Sequence, residues 1–562
     1  MARRPLPVPV RLPGAALGAL WRRMRLEWRS ATPHLIALGL PRPNGLAIRP
    51  RDFRPANPVR GERILLGAFD WDGKTIDTGA GGAPWRLPGL EPGFAAALHT
   101  FDWLPDLMTQ GEAGAQEALR LWLDWRRAFG RYDVVAWSGR VLERRVFNLT
   151  CAAGALAPLV SEAEGAAYVD GLARQARHLL GETDDHGRGA EQAAVAALVG
   201  AGLAGKAGES LLRGASRRLA PRLVRAVLPD GVHASRSPQR GLELLFDLLA
   251  LDDALSQIGA PAPAEVSRAI DRLAAGVRFF VLADGRLPSF QGGEGADRAR
   301  VATARALDAG AGEIARSMPY GAFERLDGGA LHVIVDAGAP PAGAWRGSAC
   351  AQPAAIAVVC ETRRLIVGSA WSETAGADGE LRGPTGASCV ALGSAWPGAR
   401  LLGGLFAGGG AARLEGGPAA VHAERSQSGP KTWLDIAHDG WLDLGFGATR
   451  RLFLDGETGE LRGEEGLTPA GRALQAPAPF AIQFILAPDV AAQVAVDGRS
   501  ALLRPAGAQG WRLRADVAAM RLERAAVFDE GASRATYKLV LPGVAQPGEV
   551  VRVRWKLSRD EG

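Results

Sequence analysis

Two short segments set groups able to move a proton beside groups able to hold an anion. Leu228-Pro-Asp-Gly-Val-His233-Ala-Ser-Arg236-Ser-Pro238 is a turn leading into a helix that the pattern predicts from Gln239. It puts an imidazole and a guanidinium at a helix N-terminus, where N–H groups and the dipole also favour negative charge. Ala437-His438-Asp439-Gly440-Trp441 closes a predicted strand, so an aromatic and a titratable ring can face one cleft. Gln291-Gly-Gly-Glu294-Gly-Ala-Asp297 places two carboxylates in a glycine loop, suited to a cation or a sugar hydroxyl. Each segment also has a plain reading as a polar turn or a satisfied core histidine. Gly200-Ala-Gly-Leu-Ala-Gly205-Lys206-Ala207 fits GxGxxG and nearly fits a phosphate-cradling P-loop. Ala207 lacks the hydroxyl that would hold Mg²⁺, and Glu191–Val199 reads as helix, so a crossing of small-residue helices is favoured. The chain has no HExxH, GxSxG or EF-hand pattern.

The elements that must position these groups change character near residue 315. Before it, apolar residues recur at helical spacing over Phe94–Met108, Gln116–Phe129, Val141–Leu159, Ser161–Leu180, Ala190–Ala204, Ser210–Val227, Gln239–Ile258 and Pro263–Val281. Ser161-Glu-Ala-Glu164 is a capping box, in which hydroxyl and carboxylate satisfy the exposed N–H groups of a helix start. After residue 320 the period becomes two. Short, often β-branched runs follow at Ala330–Val335, Ile356–Cys360, Arg364–Val367, Thr432–Ala437, Arg450–Leu454, Phe480–Leu486, Ala501–Leu503, Thr536–Leu541 and Val551–Trp555, as in an antiparallel sandwich. The expected domains are a basic, poorly ordered leader at 1–50, stacked helical hairpins at 51–315 and a β-sandwich at 316–562.

Of the 562 residues, 47% are hydrophobic and 22% charged, enough to bury a core in each of two to four domains. Net charge is +6, spread along the chain, and only five residues are lysine. That pattern tolerates an anionic ligand but lacks the clustered basic footprint of a nucleic-acid binder. No apolar run is long enough to span a membrane. Trp21–Trp28 can form a short amphipathic helix resting on a membrane surface. The four cysteines, Cys151, Cys350, Cys360 and Cys389, have no metal-ligand spacing.

Leu98-His-Thr-Phe-Asp-Trp-Leu104, Leu172-Ala-Arg-Gln-Ala-Arg-His-Leu179, the Asp230–Pro238 turn, Ala283–Gly293, Val333-Ile-Val-Asp-Ala-Gly338, and Ala437–Trp441 with Arg450-Arg451 and Leu461–Glu465 follow one another in order. Together they resemble the heparinase II/III-like proteins, most of all their alphaproteobacterial branch, over residues 60–556. The resemblance implies an incomplete α/α toroid followed by an antiparallel β-sandwich. It also implies a polysaccharide lyase that cleaves acidic, uronate-containing glycans by β-elimination, in the periplasm or cell envelope; no clear signal peptide is present, so the cytoplasm stays open as the alternative. That reaction needs a neutralised uronate carboxylate, a base for the α-proton and an acid for the leaving oxygen. His233, Arg236 and His438 are the expected catalytic groups. Trp103, Arg382, Trp441 and Glu294 are expected at the substrate, with Trp71, Trp85 and Trp137 as further aromatic platforms or core residues.

The chain also departs from the family pattern. Ser348 and Cys350 stand where histidines are expected, Gly368 replaces an oxygen ligand and Ala387 replaces a histidine after Arg382. Cys350, Gly368 and Ala387 cannot form the zinc site of some relatives, so no cofactor is expected. No tyrosine lies between Tyr168 and Tyr320, and Phe279 and Phe280 have no hydroxyl to ionise. The alternative is therefore a non-catalytic glycan-binding or envelope protein derived from such a lyase.

Overall fold

The computed structural model describes residues 31–181, 187–293, 298–310, 312–371, 379–403, 412–471, 476–517, 519–529 and 531–560, with Leu17, Gly18, Leu20, Trp21, Arg23, Met24, Glu27 and Trp28. The helical period is realised as α1 (Gly111–Phe129), α2 (Gly139–Leu156), α3 (Glu162–Leu180), α4 (Gly189–Gly202), α5 (Lys206–Ala226), α6 (Pro238–Gln257) and α7 (Ala264–Phe280). The capping box at Ser161 and Glu164 forms at the head of α3. Every residue of α4 is buried, so it runs through the middle of the helical layer. Gly200 is where α5 crosses it, because a side chain there would meet the Leu212 backbone at 2.4 Å. The glycine cluster at 200–207 is thus a helix crossing.

Two local features differ from the periodicity. Phe94–Met108 is not one helix but two, Pro92–Thr100 and Leu104–Met108, because Phe101 turns left-handed (φ 58°) to bury its ring. A hairpin, Ala68–Trp71 paired with Lys74–Asp77, also interrupts the helices. Its Asp72-Gly73 turn has positive φ at both residues, the two-residue geometry that matches strand twist.

Beyond residue 317 the chain is sheet. One sheet runs, edge to edge, Arg521–Asp529, Ala532–Ala545, Ala478–Leu486, Arg363–Val367, Ile356–Cys360, Leu331–Asp336, Phe323–Gly328 and Ser317–Met318, with Val390–Leu392 also on Ala478–Leu486. The other is built around β1 (Lys431–His438), β2 (Phe446–Asp455), β3 (Glu460–Pro469), β4 (Trp511–Ala515) and β5 (Val551–Arg559), in the order β1-β2-β3-β5-β4. Val421–Ser428 flanks β1, and Ser500–Pro505 then Val490–Val494 follow β4. Leu434, Leu452, Leu461 and Trp555 from this second sheet pack with Val333, Ile366 and Phe484 from the first. Alternation along β1 puts its polar residues outside, whereas Ile356–Cys360 of the first sheet is buried on both faces.

The halves share apolar material. The helical core continues through Phe280 and Leu282 into Phe323, Ile334, Val359 and Cys389 of the first sheet. Polar clamps cross the same boundary. Arg364 bonds Asp284 and the Leu287 carbonyl, Arg325 bonds the carbonyls of Phe279 and Val281, and Arg286 pairs with Asp529. Ahead of the toroid, Leu17, Leu20, Trp21, Met24 and Trp28 are helical and exposed at i, i+3, i+4, i+7 and i+11. No helix among the described residues is long and apolar enough to cross a membrane.

Candidate functional site

A groove lies where the two halves meet. Its larger section, about 420 Å³, is lined by the Ala68–Asp77 hairpin, the Pro92–Thr100 helix and Phe528, Gly531 and Ala532 of the sandwich. Its smaller section, about 120 Å³, is lined by α2, α4 and α6 with Gly292, Gly293, Ser348 and Trp371. Asp102 and Arg140 border both sections, making them one trough. Sequence pattern explains the chemistry. Helix α6 places Gln239, Arg240, Glu243 and Asp247 on one face of its first three turns, and α2 does the same with Arg140, Glu143 and Arg144.

These charges are tied to one another. Arg144 bonds Asp247 at 3.0 Å and Asp102 at 3.2 Å, and Arg54 reaches Glu243 at 2.9 Å and Asp247 at 2.7 Å from behind. Arg300 meets Glu243 at 2.8 Å, Arg240 meets Glu191 at 2.9 Å, and Arg188 forks onto Glu143 at 2.5 and 2.9 Å. Burial opposes the charge on Glu243 and Glu191, yet the arginines outweigh it and hold both carboxyls well below the usual range. Among the described residues the trough is lined by six arginines (60, 140, 144, 188, 240, 300) and six carboxylates (70, 72, 102, 191, 243, 247). It is charge-balanced rather than basic. Glu191 Oε2, Gln239 Oε1 and Trp371 Nε1 are buried beside it without a hydrogen-bond partner.

The residues singled out from sequence fall around this trough unevenly. His233 is closed off behind it: its Nδ1 sits 2.7 Å from Ser235 Oγ and its Nε2 3.8 Å from Glu191 Oε1. Burial and then Arg240 push its pKa down to about 3, so the ring stays neutral. Arg236, left-handed at φ 59°, points away into the sandwich. It bonds Asp336 at 2.5 Å and the carbonyls of Gly321, Ala322 and Ala339, with Phe323 beneath its guanidinium at 4.7 Å. The accessible cation expected at this turn is instead an interdomain clamp, because every donor direction used is met by protein. His438 ends β1 on the other sheet and lines neither section; burial, then Arg450, lowers it to about 4.

Trp103 lines the larger section but is 5% exposed, with its indole N–H donated to the Leu98 carbonyl. Trp441 is fully enclosed in the sandwich core. Arg382 is 1% exposed and donates to the carbonyls of Ala349, Arg346 and Ala412, stacking on Trp371 at 4.4 Å. It therefore supports a groove residue from behind. Glu294 lies outside the described residues. Trp71 borders the groove, whereas Trp85 and Trp137 are core. Cys350, Gly368 and Ala387 line neither section, and among the described residues no three His, Cys, Asp or Glu gather as a metal site.

Arg240, Glu191, Glu243, Asp247 and Arg144 are absent from the sequence expectations, although charged residues at i, i+3 and i+7 of one helix (Arg240, Glu243, Asp247) are a readable signal. Among the described lining residues there is no histidine, tyrosine or lysine.

Comparison with known proteins fits this architecture. Residues 311–556 match the heparinase II/III-like C-terminal family. The fold resembles that of heparinase III (TM-score 0.65, 12% identity, covering 87% of this chain and 81% of that one). It also resembles a heparan sulfate lyase HepC mutant from Pedobacter heparinus (TM-score 0.55, 13% identity, 98% and 88%). FtsZ-localized protein C of Caulobacter vibrioides is 44% identical over 99% of this chain and 98% of its own length. The chain belongs to the heparinase II/III-like family.

Proposed function

We propose that this protein is a non-catalytic member of its family that localises with FtsZ, as the name of its Caulobacter relative says of that protein. The observation that carries the first half is the trough itself. β-Elimination requires a base that reaches the substrate and cations left over to neutralise a uronate. Here the His233 imidazole is enclosed, and among the described lining residues there is no phenol and arginines equal carboxylates. A polyanion would have to displace internal ion pairs to bind. Full-length similarity at 44% identity supports the second half. A chain that localises with FtsZ would work in the cytoplasm rather than in the envelope. The four free cysteines fit a reducing compartment. The exposed stripe from Leu17 to Trp28 would lie on a lipid surface.

The test has two arms. Incubation with heparan sulfate, chondroitin and alginate should produce no ultraviolet band of unsaturated uronate, and a fluorescent fusion should track FtsZ in dividing cells. Product growth that Arg240→Ala abolishes would overturn the first half, and diffuse fluorescence would overturn the second. The unpartnered Glu191 Oε2, Gln239 Oε1 and Trp371 Nε1 favour a second reading, in which the trough still holds a small hydroxylated sugar without cleaving it.

A further inference from the structure

The outer face of the second sheet carries two parallel rows of side chains with different chemistry. Strand register aligns Asp435, Arg451, Glu464 and Arg554 in one row. This row neutralises itself: Arg451 reaches Asp435 at 3.7 Å and Glu464 at 3.4 Å, Arg554 bonds Glu464 at 2.8 Å, and Asp516 caps the Arg554 N–H. Two residues along, the register aligns Trp433, Phe453, Arg462, Lys556 and Arg514. In this second row Trp433 is 38% exposed and its ring lies 5.0 Å from Phe453. Arg462 lies 5.6 Å over the other side of Phe453. Arg462 and Lys556 share one carboxylate, Glu460, and Arg514 contacts no carboxylate among the described residues. The row therefore runs from aromatic to increasingly uncompensated positive charge, along an open cleft of about 790 Å³.

We propose that this row docks an extended acidic peptide segment that carries one aromatic or large aliphatic side chain. The proposal is independent of the reading of the trough. Charge complementarity selects the occupant, because three cations against one acid favour carboxylates, and Trp433 with Phe453 supplies an apolar anchor at one end. Dimensions agree. Four inter-strand steps of about 4.8 Å span about 19 Å, which about six extended residues match at about 3.3 Å each. The peptide would cross the strands rather than extend the sheet, and its apolar residue would sit at the β1 end.

The test uses the full chain and a fluorescein-labelled peptide of sequence Phe-Leu-Glu-Glu-Glu-Glu, followed by anisotropy at two salt concentrations. Saturable binding that weakens with salt is expected, with about tenfold loss in Arg514→Glu, an intermediate loss in Arg514→Gln and a comparable loss in Trp433→Ala. Both positions are at the surface, so an unchanged melting temperature separates lost docking from lost folding. The lysine counterpart of the peptide should not bind. Absence of saturable binding, or binding indifferent to both Trp433→Ala and Arg514→Glu, would overturn the proposal. So would binding of anionic phosphatidylglycerol vesicles that Arg514→Glu abolishes, since the row would then be a lipid-facing surface.

Discussion

The interdomain trough and the outer sheet face are both rich in arginine, and they treat it in opposite ways. Inside the trough, Arg144, Arg188 and Arg240 are matched to Asp247, Glu143 and Glu191 within hydrogen-bond distance. On the sheet face, Arg514 projects into solvent without a carboxylate contact among the described residues. Burial explains the difference. Taking a charge out of water costs several kcal/mol unless a partner meets it, whereas an exposed guanidinium is already solvated. A count of arginines in a crevice therefore says little about affinity for an anionic ligand; the count left over after internal pairing is the informative quantity.

Four measurements can break or sharpen that contrast. The largest effect is expected at the clamp. Arg236→Ala would strand Asp336 in the interdomain core and should cost about 3–5 kcal/mol in denaturant unfolding. A loss near zero would mean that the internal pairs are dispensable. Acidification comes next. His233, His438 and His99 have folded pKa values of about 3, 4 and 4 against about 6.5 when unfolded, burial being the main cause in each. Their neutral forms are thus favoured by folding, so stability is complete above pH 6.5 and falls as pH drops from there towards 3–4. The slope should approach about 1.4 kcal/mol per pH unit for each histidine, and His438→Gln should flatten the melting-temperature profile.

Gly463 offers a third measurement, on the sheet side. A Cβ there would overlap the Trp555 ring at 2.1 Å, so Gly463→Ala should destabilise by about 1–3 kcal/mol and disturb the docking row above it. The smallest effect belongs to the exposed charge. Arg514→Glu should change stability by less than about 0.5 kcal/mol while changing surface binding, which is the signature of a cation kept for a partner rather than for the fold.

Much of the fold was legible because local periodicity survived into the structure. The Ile356–Cys360 strand matches its predicted bounds, and α3 and α6 match within a residue or so. What escaped were features decided by tertiary contacts. The break at Phe101 occurs because burial of that ring overrides helix propensity, and Pro105, in the first turn of the second helix, is its one readable signal. The Asp72-Gly73 hairpin turn, by contrast, carries a readable local signal. At the candidate site, the His233 turn was found, but its enclosure depends on Glu191 and Arg240, and the second is seven residues away on α6. Arg236 was read as an open cation because its partner, Asp336, lies a hundred residues on. Trp441 and Trp103 show the same limit, since an indole beside a titratable group looks alike in sequence whether it lines a cleft or fills a core.

The apolar cluster that runs from Phe280 through Phe323 to Val359 has an evolutionary reach as well as a mechanical one. A gene fragment encoding only the match at 311–556 would expose the sheet surface that Phe280 and Leu282 now cover, and such a product is expected to aggregate when expressed alone. Recombination could not easily trade the sandwich onto another partner. Any change of chemistry in the trough would still have to keep both halves, because each is the other's packing surface.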